Sequence, residues 1–296
     1  MAFSLKNNTA KGIGMTAGAG IIFGAFPIFT SLYVQFGGDV NSFNLYGFIL
    51  TVVILAAYIL LTKKSFRIPR KSIFFVFLAG FFNVVTRILL TNSYLYLDVG
   101  IATTLQFMHP LFAALMGALF FREKMPLYKW AAFLVASFSV SLFTSSYQEG
   151  GQLKGIILAL ASAVCFALYM LTTEKADLAR MDPVVFVFYV SLVSTVGCAF
   201  MGIEGMTLMI PGKAIAILVA CAIVNNFLAF ALQQQGVRYM GAAMAALFSL
   251  FEPIFSCIFG AVFLSQAMGG RSLLGIALIL LSLVLIVVMD NRKKPA

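Results

Sequence analysis

Ten apolar runs follow one another along this chain with only short polar connections between them. A bilayer core of ~30 Å takes about 20 apolar residues as a helix. The runs fall at 12–34, 43–62, 73–97, 101–121 and 127–146, then at 155–174, 184–203, 214–236, 241–264 and 272–289. The first is too long for the apolar part of a secretion signal, so it is counted as a membrane helix. Composition closes the water-soluble alternatives. Of 296 residues, 62% are hydrophobic and 10% charged, against about 25% charged in ordinary globular proteins.

The basic residues sort by side. With ten helices the connections alternate across the membrane, and Lys and Arg in short loops mark the cytoplasmic face. One side carries Lys6, Lys11, Lys63, Lys64, Arg67, Arg70, Lys71, Arg122, Lys124, Lys129, Lys175, Arg180, Arg238, Arg292, Lys293 and Lys294. The other carries only Lys154, Lys213 and Arg271. A miscount by one helix would destroy this bias. Both termini are therefore expected in the cytoplasm, with the protein in the cell membrane. The net charge of +10 lies in topology-setting loops and forms no basic helix or domain, so no nucleic-acid partner is expected.

The chain also repeats itself. Pro110 to Phe120 lines up with Pro253 to Phe263 at an offset of 143 residues. At the same offset Lys11-Gly12 meets Lys154-Gly155, and Asn83 meets Asn226. Gly100 meets Gly241 only at an offset of 141, which implies two inserted residues before Pro253. The repeat unit is five helices. An odd number forces the second copy into the membrane upside down. The expected fold is an all-α integral membrane protein with ten transmembrane helices in two inverted five-helix repeats. These are residues 1–150 and 151–296 of one structural domain. Inverted repeats place a binding site near the bilayer midplane, at their interface.

The segments Ala102–Met125 and Ala245–Met268 carry a resemblance. Each has a proline-bearing fourth helix, then Gly117 or Gly260, then a loop signal; Arg122-Glu123-Lys124 closes the first and Glu252-Pro253 marks the second. This resembles the ten-helix EamA-type branch of the drug/metabolite transporter superfamily, over essentially the whole chain. Gln266 departs from the pattern, standing where the second copy usually has Glu. The resemblance implies the two-repeat fold and transport. It does not name a substrate, because such proteins carry amino acids, sugars, nucleotide derivatives, cations and drugs.

Ionisable groups inside membrane helices are costly and mark function by default. Three stand out: Arg87, His109 and Glu252. Asn83, Thr91 and Tyr94 share the helix face of Arg87. That polar stripe can clamp a carboxylate or phosphate, or serve a structural ion pair. His109 and Glu252 occupy equivalent places, each just before a helix-bending proline, with Gln106 and Ser249 three residues upstream. Either can carry a coupling proton, and Glu252 can also take a substrate ammonium; both also fit as packed core groups. Asn225, Asn226, Gln233, Gln234 and Gln235 can bind a polar ligand or join helices. Tyr169 and Thr172 lie on the sixth helix. Phe107, Phe248 and Phe251 flank Glu252 and His109 as a possible aromatic cage or as core. Gly14, Gly18, Gly20 and Gly24 suit close helix contact.

No Walker A loop, HExxH or GxSxG occurs, and His109 is the only histidine, so an ATPase, a zinc hydrolase or a triad enzyme has no place here. The four cysteines sit in apolar runs without metal-ligand spacing. No cofactor or metal is called for. The expected function is secondary transport of a small polar metabolite, an amino acid or related zwitterion, by alternating access. The site is expected between the third, fourth, eighth and ninth helices, with help from the first and sixth. The substrate-binding candidates are Arg87, Glu252, His109, Asn83, Tyr94, Asn226, Gln106, Phe248 and Tyr169; the coupling-ion candidates are Glu252 and His109. A cation or drug carrier, a passive channel and a lipid-handling membrane protein are the alternatives. Membrane lipids and protons are the other expected partners, and the sequence leaves the oligomeric state open.

Overall fold

The computed structural model describes residues 2–122, 125–143, 151–176, 178, 181–201, 206, 212–240 and 242–293, without the side chains of 2–9, 121, 175, 234, 240, 242–244, 246 and 291–293. The charges assigned to Lys6, Glu123, Lys124, Lys175, Arg180, Arg292, Lys293 and Lys294, and the amide of Gln234, lie outside that description. The apolar helices are α1 Ala10–Gln35, α2 Val40–Leu61, α3 Arg70–Ser93, α4 Val99–Phe120, α5 Leu127–Phe143, α6 Gly151–Glu174, α7 Pro183–Met201, α8 Gly212–Tyr239, α9 Leu247–Leu264 and α10 Gly270–Asp290. Among the described residues nine of these are long enough to cross a bilayer, and α5 is the shorter tenth. Helices satisfy every backbone group internally, as a lipid environment demands.

Local chemistry sets where they end and bend. Helix α3 stops at Ser93, four residues short of the run that ends at 97. There the side chains of Thr91, Asn92 and Ser93 bond back to the carbonyls of Arg87, Ile88 and Leu90, which competes with further helix. Prolines break three helices by removing an N–H donor. Helix α1 is interrupted at Ala25, ahead of Pro27. Helix α4 divides into Val99–Gln106 and His109–Phe121 around Pro110, and the segment Ala242–Ser249, which runs into the start of α9, gives way to Phe251–Leu264 around Pro253. Helix α8 contains a π-helical stretch, Ala222–Ala229, a feature frequent at functional sites.

The 143-residue offset is kept in three dimensions. Arg122 and Ser265 both end their helices in the left-handed conformation at φ 55°, each cap closing on the carbonyl of Gly117 or Gly260. Asp39 caps α2 through the Ser42 N–H, and Asp182 caps α7 through the N–H groups of Val184 and Val185. Gly241, on which the expected two-residue insertion rests, lies outside the described residues.

Helix contacts obey the same exchange. Helices α2 and α7, α4 and α9, and α5 and α10 pack on their own counterparts. The pair α1–α8 mirrors α3–α6, and α1–α9 mirrors α4–α6. The two halves thus interlock as an inverted pair. Of the glycines in α1, Gly20 and Gly24 serve this packing: a Cβ at Gly24 would lie 2.8 Å from the Glu252 carbonyl oxygen. Gly14 and Gly18 have nothing within 4 Å, so the close-contact spacing is used only at its second pair.

One end of the bundle is shut. Val99–Gln106 packs on Phe251–Leu264. A Cβ at Gly100 would come 2.5 Å from Cys257 Sγ, Thr103 and Ser256 hydroxyls meet at 3.0 Å, and Gln266 Oε1 accepts the Val99 N–H at 3.0 Å. Nearby, Lys154 Nζ donates to the Tyr96 hydroxyl at 2.8 Å. Among the described residues the mirror contact, His109–Phe121 on Ala242–Ser249, has no comparable packing. Nor do the mirror residues Lys11 and Tyr239 bond to each other; both are exposed. The shut end is the one where basic residues are sparse.

Candidate functional site: a cavity between the two halves

A cavity of ≈ 380 Å³ opens between the halves, within the ~300–1,000 Å³ usual for small-molecule sites. Its walls come in symmetry mates: Phe23 with Phe166, Phe26 with Tyr169, Phe48 with Ser191, Asn83 with Asn226, Arg87 with Phe230, and His109 with Glu252. A cavity lined this way sits on the pseudo-two-fold axis. Its shape is shared between the halves, while its charge is not: Arg87 faces its site where the mate is Phe230, and Glu252 where the mate is His109.

Eight of the nine predicted substrate-binding residues line it: Arg87, Glu252, His109, Asn83, Tyr94, Asn226, Gln106 and Tyr169. Phe248 does not. It stacks on Phe251, with ring centroids 6.2 Å apart, while its backbone carbonyl faces Gly20 of α1. Of the expected aromatic cage only Phe107 reaches the cavity. The aromatic wall is instead Phe23, Phe26, Phe48, Phe166 and Phe230, which sequence reasoning did not single out among 31 phenylalanines. Helices α2 and α7 also contribute, through Phe48, Thr51, Val187, Val190 and Ser191, beyond the six helices expected.

The Arg87 guanidinium lies over the ring of Phe26, 4.0 Å from its centroid, with Phe48 at 5.6 Å. Cation–π contact steadies such a group without using its in-plane N–H donors. Among the described residues neither Arg87 nor Glu252 forms an ion pair or a side-chain hydrogen bond. The structural ion pair open to Arg87 from the sequence is not made with any described residue. A cation and a carboxyl thus reach one cavity with their hydrogen-bonding capacity unspent.

His109 is more committed. Pro110 has no N–H, which leaves the Gln106 carbonyl open, and His109 Nδ1 sits 3.0 Å from that oxygen. A carbonyl only accepts, so Nδ1 carries a hydrogen, and Nε2 is left as an acceptor when the ring is neutral. The ring rests edge-on against Phe166 at 4.6 Å.

The amides of the two central asparagines are partly spent on helix contacts. Asn83 Nδ2 donates to Ser194 Oγ at 3.0 Å and Asn226 Nδ2 to Thr51 Oγ1 at 2.7 Å. Asn225 Nδ2 donates to the Ile22 carbonyl at 2.8 Å, and Gln233 Nε2 to Ser249 Oγ at 2.9 Å. Among the described residues no group of His, Cys, Asp or Glu is arranged to hold a metal ion.

The profile of the EamA-like transporter family matches residues 10–145 and again residues 153–288. The chain belongs to the EamA-like transporter family. The double match coincides with the two interlocked halves, and this EamA-like protein has the ten-helix, inverted-repeat membrane fold. It is 24% identical to an uncharacterized transporter of Synechocystis sp. over 216 residues, 70% of this chain and 64% of that protein, so it spans somewhat under two thirds of that relative. It is 25% identical to an uncharacterized transporter of Archaeoglobus fulgidus over 243 residues, 81% of this chain and 86% of that one. A solved crystal structure superposes with a TM-score of 0.63 at 18% identity, over 97% of this chain and 99% of its own. That likeness concerns the fold alone.

Proposed function

We propose that this EamA-like protein is a secondary transporter of a small zwitterion, an α-amino acid or close relative. It works by alternating access in the cell membrane, with both termini cytoplasmic and residues 1–150 and 151–296 as the two moving halves. One observation carries the reading: Arg87 and Glu252, neither of them in an ion pair among the described residues, line the same small cavity on the symmetry axis. Arg87 takes the carboxylate bidentately. Glu252 takes the ammonium. The aromatic wall favours an apolar third group. A purely cationic substrate is disfavoured, because the guanidinium in the same low-dielectric cavity repels it.

Exchange of conformation between the halves supplies the access change. In this structure the end with sparse basic residues is shut, so the binding-competent opening is toward the basic, cytoplasmic side. Of the two coupling-proton candidates, Glu252 is the carrier, because its carboxyl, without a partner among the described residues, can hold either the proton or the substrate ammonium in the same cavity.

The test is a pair of variants. Arg87→Ala and Glu252→Gln, each shown to be folded and monodisperse, are expected to lose transport of zwitterions by at least tenfold. Wild-type rates in both variants would sink the assignment.

A further inference from the structure

Beside the main cavity lies a second void of ≈ 10 Å³, walled by Asn44, Arg87, Asn226, Phe26 and Phe48 among others. Asn44 on α2 is 3% exposed. Its Nδ2 donates to Thr91 Oγ1 at 2.7 Å. Thr91 has one hydroxyl hydrogen, already given to the Arg87 carbonyl at 2.8 Å, with the Ile88 carbonyl at 3.3 Å. The Asn44 atom facing Thr91 must therefore be the donor, which turns Oδ1 away from it. That Oδ1 is buried with no donor among the described residues. A buried acceptor of this kind calls for one.

The void is at the lower bound of what a single water needs, about 10–15 Å³ with two to four polar partners. Asn44 Oδ1 offers an acceptor. Arg87 offers donors its side chain has given to no described residue. A metal cation would sit against the guanidinium charge, so a neutral bridge is the fit. The second half carries the complementary observation. The mate of Arg87 is Phe230 and the mate of Asn44 is Val187; where the guanidinium is absent, so is the amide.

We propose that one buried water joins Asn44 Oδ1 to the Arg87 guanidinium, making Asn44 a positioning residue that aims Arg87 at the substrate's anionic group without neutralising it. The role in selectivity rests on the proposed zwitterion site; the water bridge does not. An aspartate at this position would pair with Arg87 and cancel the charge that selects a carboxylate.

The test uses Asn44→Asp in proteoliposomes, with L-leucine and 3-methylbutylamine, its carboxylate-free counterpart, as probes. The expected result is at least a tenfold fall in kcat/KM for leucine, carried mainly by KM, with the amine changed less than twofold or improved. A merely structural role would lower both probes together, and an equal fall in a folded variant overturns the proposal. Wild-type protein in a structure fine enough to resolve waters supplies a check that needs no variant. Density bridging Asn44 Oδ1 and the guanidinium is expected; a dry void, or another group bonded to Oδ1, overturns the bridge. If wild-type protein moves neither probe, the zwitterion reading fails on its own and the density still decides the bridge.

Discussion

Asn83 and Asn226 stand 143 residues apart, and each donates its side-chain amide to the second helix of the opposite half, Asn83 to Ser194 at 3.0 Å and Asn226 to Thr51 at 2.7 Å. One hydrogen bond is thus made twice, once in each half of an inverted pair. Bonds of this type between membrane helices are worth about 0.6 kcal/mol on average and at most about 1.7. Asn83→Ala and Asn226→Ala should each lower stability by an amount in that range, and by similar amounts. Thermal unfolding in detergent checks this. An unchanged melting temperature with lost substrate affinity would make the amides substrate contacts instead.

The shut end gives a second prediction. Thr103 and Ser256 hydroxyls are 3.0 Å apart across α4 and α9. Cysteines at both positions, with Cys257 replaced by serine, should form a disulfide under mild oxidant and hold that end closed. Transport is expected to fall to background and to return with reductant. Full activity in the quantitatively cross-linked protein would mean that this contact does not open during the cycle.

Helix packing gives a third. Gly24→Ala drives a methyl group into the Glu252 carbonyl and the Phe255 side chain, and overpacking of this sort costs about 1–3 kcal/mol. Gly14→Ala meets nothing within 4 Å and should be neutral or stabilising by up to ~1 kcal/mol. Equal behaviour of the two variants in thermal unfolding would contradict the α1–α9 contact.

A fourth concerns pH at the basic end. Burial pushes the Asp182 carboxyl up, but the Lys64 ammonium at 2.6 Å and the N–H groups of Val185 and Val184 outweigh it and hold the carboxyl below its ordinary value of 3.8. A lowered value means stability that is present in full above pH 3.8 and is lost as pH falls through the folded-state value. The pair is more than one-third exposed, so the charge contributes only a few tenths of a kcal/mol. Asp182→Ala, which also loses the α7 cap, should cost about 1 kcal/mol at pH 7, and Asp182→Asn clearly less. The difference between wild type and Asp182→Asn should fade below about pH 3.8. A difference that grew on acidification would contradict the sign.

The membrane fold was legible because lipid leaves so few options: runs of about 20 apolar residues, loop charges and the Pro110–Pro253 repeat fixed the helix count and the inversion. The polar half of the site was legible for the same reason, since Arg87, His109 and Glu252 have no cheap place in lipid. The aromatic half was not, because Phe23 or Phe230 in an apolar helix carries no mark that separates cavity from lipid. The symmetry offset could have found it: the mates of Phe23, Phe26 and Phe48 are Phe166, Tyr169 and Ser191, which line the same cavity. Phe248 misled for a related reason. Its neighbour in sequence, Glu252, faces the cavity, but its own ring turns toward Phe251.

The most direct measurement is an exchange assay on purified protein in liposomes loaded with a defined mixture of amino acids, organic cations, organic acids and sugars, read by mass spectrometry with and without a proton gradient. The account predicts selective loss of zwitterionic amino acids, faster than from protein-free liposomes and abolished in folded Arg87→Ala. Selective loss of cations, or zwitterion loss that survives Arg87→Ala unchanged, would contradict it.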